Sequence, residues 1–209
     1  MSVTFPLSFP TATGLVDVAI WGRQLSGVTE APFSGAEQIQ EHQLARWRAE
    51  FSLPPMTRQE AMPWRSFFQK QRGRVGTFLM GDPMGTAPLG AAAAAPGTPQ
   101  VDGGGQSGLT LAIKTGLGNV SGWLLEGSWL SLGTGSARRL YTVTNDVTLA
   151  SGNATIDIWP RLRSAPSNND TVYLTNTTGL FRLVSDEHGF SIGRDGLYRM
   201  PPVACREAL

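Results

Sequence analysis

From Arg46 to Leu53, polar and apolar side chains alternate without exception: Trp47, Ala49, Phe51 and Leu53 against Arg46, Arg48, Glu50 and Ser52. A period of two places every apolar side chain on one face of an extended chain, and no helix can do the same. The segment from Gly35 onward is two-valued. Ala36, Glu37, Gln38, Gln40 and Glu41 favour helix, and Leu44, Trp47 and Phe51 share helical spacing. The unbroken alternation decides for a half-buried strand from about Gln43 to Leu53, stopped by Pro54-Pro55. Immediately after, Thr57-x-x-Glu60 forms a capping box. Ala61, Trp64, Phe67 and Phe68 then share one helical face, with Arg65, Gln69 and Lys70 opposite. Pro63 falls near the first turn, where a missing N–H costs least. Gly73 offers a left-handed stop after the basic turn Lys70-Gln71-Arg72. The pattern predicts one helix over about 57–72, with Trp64, Phe67 and Phe68 as its buried structural face. A strand over Val75–Met80 follows, closed by Gly81-Asp82-Pro83.

The rest of the chain reads as short strands. Val16, Val18 and Ile20 alternate with Asp17 and Ala19 in a first strand. Between Met84 and Gly108 the composition turns to Ala, Gly and Pro, and the five-alanine run is too short to hold a helix alone. This stretch reads as a flexible or partly ordered linker. Beyond it come Leu109–Ile113, Trp123–Leu125, Trp129–Leu132, Leu140–Val143 and Ala154–Ile158, separated by Gly127, Gly133, Gly135 and Gly152. Short strands with glycine turns suggest a small barrel of the OB or a related kind. A polar loop over 161–170 leads to strands near Val172–Leu174, Phe181–Val184, Leu197–Met200 and Val203–Cys205.

Composition narrows the function classes. Charged residues are 16% of the 209, below the roughly 25% of ordinary soluble domains. A surface so poor in charge suits a protein covered by partners. A net charge of +1 offers no global field for nucleic acid or an anionic membrane. The start, MSVTFPLSFPTATG, has neither a basic nor a continuous apolar region and predicts no secretory leader; no apolar run reaches membrane-spanning length. The four Asn-x-Ser/Thr triplets then read as a by-product of Asn- and Thr-rich turns. Cys205, the single cysteine, sits in an apolar run and reads as a small buried hydrophobe.

No constellation carries catalysis. Gly189-Phe190-Ser191-Ile192-Gly193 has the G-x-S-x-G form, with His188 beside it. A nucleophile elbow needs a following helix and a later histidine, and neither is present, so a β-hairpin is expected. Gly116–Gly122 follows a strand like a dinucleotide loop, but its spacing is wrong by one and no helix follows. His42 and His188 are the only histidines, and with one cysteine a structural zinc site is excluded. Asp186 and Glu187 read as a solvated loop rather than a cation site, and the basic run Lys70 to Arg74 as dipole compensation. No cofactor is expected. Trp123, Trp129 and Trp159 are open: core residues, or a partner- or glycan-binding face.

The block from Ser34 to Pro83 resembles a module of tail proteins from long-tailed bacteriophages. Its progression "G-x-x-Q … R-W … L-P-P-M … E-A … G-R-x-G-T-F … D-P" is matched by Gly35, Gln38, Arg46, Trp47, Leu53 to Met56, Glu60, Ala61, Gly73, Arg74, Gly76 to Phe78, Asp82 and Pro83. LLEGSWLSLG, LYTVTNDVTLASGNATIDIWPRLR and the closing REAL resemble the same group, so the likeness touches most of the chain. The group's "G-D-x-I" turn is here Gly127-Ser128-Trp129-Leu130, which argues against a cation there.

The resemblance implies the distal tail protein class: a mainly β, split barrel or sandwich domain with one helix, carrying an inserted small OB-like barrel. The ring domain would be residues 1–88 plus 170–209, the linker 89–108 and the inserted barrel 109–169. It implies a non-enzymatic virion component, assembled in the host bacterial cytoplasm. Its partners would be further copies of itself in a hexameric ring, the tail tube protein, and a baseplate hub or tail fibre protein. A carbohydrate- or receptor-binding module of the tail tip, or another minor tail protein, is the alternative.

Overall fold

A computed structural model describes residues 3–10 and 14–209; Met1, Ser2 and 11–13, part of the start segment read above for a leader, lie outside them. The chain runs β1 (Asp17–Glu30), β2 (Glu37–Ser52), α1 (Arg58–Gln71), β3 (Phe78–Met80), β4 (Gln100–Val101), β5 (Thr110–Lys114), β6 (Val120–Leu124) and β7 (Trp129–Leu132). It continues β8 (Arg139–Val143), β9 (Val147–Leu149), β10 (Asn153–Trp159), β11 (Gly179–Leu183), β12 (Ser191–Ile192), β13 (Tyr198–Arg199) and β14 (Val203–Glu207). The protein is mainly β, with α1 its one α-helix among the described residues.

One five-stranded sheet has the order β1-β2-β14-β11-β3, antiparallel throughout. The alternation of β2 works as its period demands: Trp47, Ala49 and Phe51 are buried, and Arg46, Arg48 and Glu50 lie on the other face, half-buried. Helix α1 packs on the apolar face. Trp64 is fully buried and meets Phe9, Phe51, Phe67 and Phe68 at ring-centroid distances of 5.5 to 6.1 Å. Fully burying side chains of this size stabilises by about 1.5–3 kcal/mol each. Glu60 closes the capping box, accepting from the Thr57 backbone N–H at 2.9 Å and the Thr57 hydroxyl at 2.8 Å. At the other end Arg72 itself is left-handed (φ 52°) and Gly73 continues the turn (φ 66°).

Three boundaries differ from the sequence reading. The second strand starts at Glu37, not Gln43, because its first half is exposed on both faces and has no buried side to mark a period. The strand expected over Val75–Met80 is confined to Phe78–Met80. Before it, Gly76 folds back to donate to the Gln71 carbonyl at 2.8 Å, and a Cβ there would sit 2.1 Å from Gln71 Oε1. The stretch 89–108 is not a linker. Ala92 and Val101 are buried, β4 pairs with β5, and the Val101 N–H donates to the Asp170 carbonyl at 2.9 Å.

That stretch belongs to a second five-stranded sheet, β4-β5-β10-β8-β7, joined by a β6–β9 ribbon. Its own core includes Leu111, Ile113, Trp123, Leu130, Tyr141 and Ile156. Val172 and Leu174 also pack there, and their neighbours Thr171 and Tyr173 make single bridges rather than a strand, which moves the return to the first sheet from 170 to β11. The chain leaves the first sheet after Met80 and comes back at Gly179, and these two residues are paired across β3 and β11.

Candidate assembly surfaces

The sequence-derived site residues divide by position. Trp64, Phe67 and Phe68 form the buried face of α1, as their spacing requires. Trp123 is fully buried in the second core and belongs to no exposed face. Its neighbour Leu124 is buried as well, so β6 turns both residues inward at its end. Trp129 and Trp159 are half-buried and meet Trp47 in the seam between the two sheets, at 5.0 Å and 4.5 Å. Each seam hydrogen bond has an evident source. Trp47 Nε1 donates to the Leu140 carbonyl at 2.9 Å, and Trp129 Nε1 donates to Asp82 Oδ2 at 3.0 Å. A glycan platform needs flat, wet rings, and these three are packing groups.

Sequence reasoning missed the charged half of this seam. Glu207, its side chain 1% exposed, accepts from Arg163 Nε at 3.0 Å, Arg163 Nη2 at 2.6 Å and the Trp47 backbone N–H at 3.1 Å. Arg163 Nη2 also donates to the Ala45 carbonyl. Arg163 lies in the polar loop and Glu207 in the last strand, so no local pattern joins them. Only the inward register of β14, Val203, Cys205, Glu207, hints that the glutamate is buried.

The chemical candidates resolve into structure. Ser191 lies in the β12–β13 hairpin, and its Oγ donates to the Arg199 carbonyl at 3.3 Å. His188 stacks on Phe68 at 5.0 Å, with its Nε2 3.0 Å from the Ser185 carbonyl oxygen. Asp195 is held at about 2 by hydrogen bonds from Arg199 and the Leu197 N–H, closing the same hairpin. Asp186 pairs with Arg74 at 3.2 Å and accepts from its backbone N–H, which ties that loop to the end of α1. Burial pushes the Cys205 thiol up to about 12. In the Gly116–Gly122 stretch, where the spacing predicts a glycine turn rather than a dinucleotide loop, Gly116 and Gly122 take positive φ. In the Gly127–Leu130 turn, the Ser128 hydroxyl accepts from the Leu89 N–H at 3.1 Å. A cleft of about 490 Å³ lies between α1 and the 186–198 segment, lined by Met62, Arg65, Phe68, His188 and Phe190 among others. Among the described residues no cluster of His, Cys, Asp or Glu is arranged to hold a metal, and no helix is long and apolar enough to cross a membrane.

What remains is surface. One edge of the first sheet, β3, is covered: Leu7 bridges Phe78, its N–H donating to the Thr77 carbonyl at 2.9 Å. The other edge, β1, pairs with no further strand among the described residues. Past an irregularity between Gln24 and Ser26, β1 and β2 continue as a two-stranded arm. Every residue from Pro32 to Leu44 is exposed, and the arm leaves Val28, Phe33 and Ile39 in water. On the sheet face away from the core, Arg48, Arg206 and Arg182 stand directly opposite one another on β2, β14 and β11. Arg23 opposes Arg46 on β1 and β2.

A scan against models of known protein families finds no match to this chain, and no curated protein matches it.

Proposed function

We propose that the chain is a structural subunit of the tail tip of a long-tailed bacteriophage. In this reading it closes into a hexameric ring that joins the tail tube to the baseplate hub or fibres, and it performs no catalysis. The sequence resemblance is what suggests the family. The observation that carries the reading is the open β1 edge with its exposed arm. Among the described residues β1 has no second strand partner and several large apolar side chains lie in water, the condition that natural sheets relieve by covering the edge. Closed cyclic assembly provides that cover for every copy at once. The glycan-module alternative depends on exposed tryptophans, and Trp123 is buried while Trp129 and Trp159 pack in the seam.

The test is the solution mass by light scattering over a concentration series, with negative-stain imaging of the largest species. A mass of about six protomers with ring-shaped particles supports the reading. A monomer at every concentration, able to retain an oligosaccharide, would replace it with the binding-module reading.

A further inference from the structure

The arm and the outer face of the sheet are matched in charge and in shape. Cross-strand pairing sets the arm's faces. Ser26, Val28 and Glu30 stand opposite Glu41, Ile39 and Glu37, so these six side chains share one side. That side is an apolar pair, Val28 and Ile39, bracketed by Glu30 and Glu37 toward the tip and Glu41 toward the base. From Ser26 to Gln43 the arm contains no lysine or arginine. At roughly 3.3 Å per residue, the arm from Ser26 to its tip spans about 15–20 Å, enough to cross four strands spaced about 4.8 Å apart.

The sheet's outer face has the opposite character. Trp21, 43% exposed, stands opposite Arg48 and is flanked by Arg23 and Arg46. Arg206 and Arg182 extend the row across β14 and β11. Like charges directly opposite one another destabilise a sheet unless something anionic lies over them. Among the described residues none of these five arginines has a carboxylate within salt-bridge distance. The Nε atoms of Arg46, Arg48 and Arg182 are out of water and meet no hydrogen-bond acceptor among the described residues. Burial, then the neighbouring charges of Arg206, Arg23 and Arg48, hold the Arg46 guanidinium below its ordinary value.

We propose that the arm of one copy lies across the arginine face of the next, Val28 and Ile39 against Trp21, with Glu30, Glu37 and Glu41 over the guanidinium rows. The proposal rests on the ring reading and deepens it by naming the contact. Guanidinium–carboxylate pairs supply charge-assisted hydrogen bonds to the orphaned Nε–H groups. The contact is heterologous, arm to face, so each copy offers one donor surface and one acceptor surface, and repetition closes a ring. A polyanion would answer the arginines but would leave Val28, Ile39 and Trp21 uncovered.

Two charge-reversed chains test it: an arm variant (Glu30→Lys, Glu37→Lys, Glu41→Lys) and a face variant (Arg48→Glu, Arg182→Glu, Arg206→Glu). Near-UV circular dichroism checks the fold of each, with single Arg206→Glu replacing the face variant should the triple not fold. The expected result is a fall to the mass of one protomer for either variant alone, and recovery of the wild-type mass when the two triple variants are mixed in equal amounts. In the mixture, a basic arm meets an acidic face and an acidic arm meets a basic face in alternation. Raising the salt from about 0.1 M to about 1 M should lower the wild-type mass, as the screening length contracts. An arm variant that assembles like wild type overturns the contact and leaves the ring reading standing. A wild-type chain that stays monomeric overturns both. If that monomer retains a single-stranded oligonucleotide through the arginine face, the face belongs to a polyanion instead.

Discussion

Arg163→Ala would strand the Glu207 carboxylate in the seam between the two sheets. That carboxylate has 1% of its side chain exposed, so it cannot turn to water when its partner is removed. Of its three donors, only the Trp47 backbone N–H at 3.1 Å would remain. Breaking a buried pair from one side costs about 3–5 kcal/mol, chiefly for the charge left behind. For a chain of this size each kcal/mol corresponds to about 2–4 °C, so Tm should fall by roughly 6–20 °C. The reverse change, Glu207→Ala, should cost less, because the Arg163 side chain keeps 11% exposure and can redirect its head toward solvent. Replacing both by methionine should recover most of the loss, since an apolar pair of similar volume carries no stranded charge. Thermal and urea unfolding of these four proteins and of the Arg163→Ala/Glu207→Ala double variant, at a concentration where each is a single species, completes a double-mutant cycle. A loss below about 1 kcal/mol for Arg163→Ala, the range of exposed pairs, would refute the reasoning.

Gly22→Ala places a Cβ 2.3 Å from the Trp159 ring, so the indole must leave the seam; a loss of about 1–3 kcal/mol and an altered near-UV spectrum are expected, and an unchanged spectrum would contradict it. With its thiol pushed up to about 12, Cys205 should resist thiol reagents at about pH 8 in the folded chain and react fully once unfolded; rapid native labelling would show the thiol accessible. Asp195 is depressed from 3.8 to about 2, so its contribution to the β12–β13 hairpin is complete above the ordinary value and is lost as pH falls toward the folded one. An NMR titration of its carboxyl carbon checks this, and a midpoint near 3.8 would remove Arg199 as the cause.

The sequence was most legible where one face is buried and the other wet. The inward residues of β2, and α1 with its Thr57–Glu60 box, could be read because burial and solvent impose different chemistry at fixed intervals. The first half of β2 was invisible for the converse reason: Gln38, Ile39 and Gln40 all face water, and no period is written where nothing is buried. The strand β9 was missed because its Val147–Leu149 run is only three residues, between Asn145-Asp146 and Ser151-Gly152. Ala92 and Val101 were hidden by composition, since an Ala/Gly/Pro stretch looks like a tether whether or not two of its side chains plug a core. At the assembly surface, the arginines were legible only as the polar half of an alternation. That Arg48, Arg206 and Arg182 face one another is a fact of register between strands far apart in the chain.

Met80 and Gly179 face each other as the last pair of the β3–β11 ladder, so everything from Gly81 to Thr178 occupies the position of a hairpin turn. To the first sheet it matters little whether that turn is a few residues or a whole folded unit, because the closure entropy of a loop grows only with the logarithm of its length. The Trp47–Trp129–Trp159 contacts and the Arg163–Glu207 pair are then what fix the orientation of a unit that the backbone alone holds at one point. Chains built on this plan can therefore exchange the unit for a different one, or shed it, while keeping the arm, the open edge and the arginine face untouched. The seam residues, Trp47 and Glu207 on the sheet's side among them, would change with the unit, and the strand order would not.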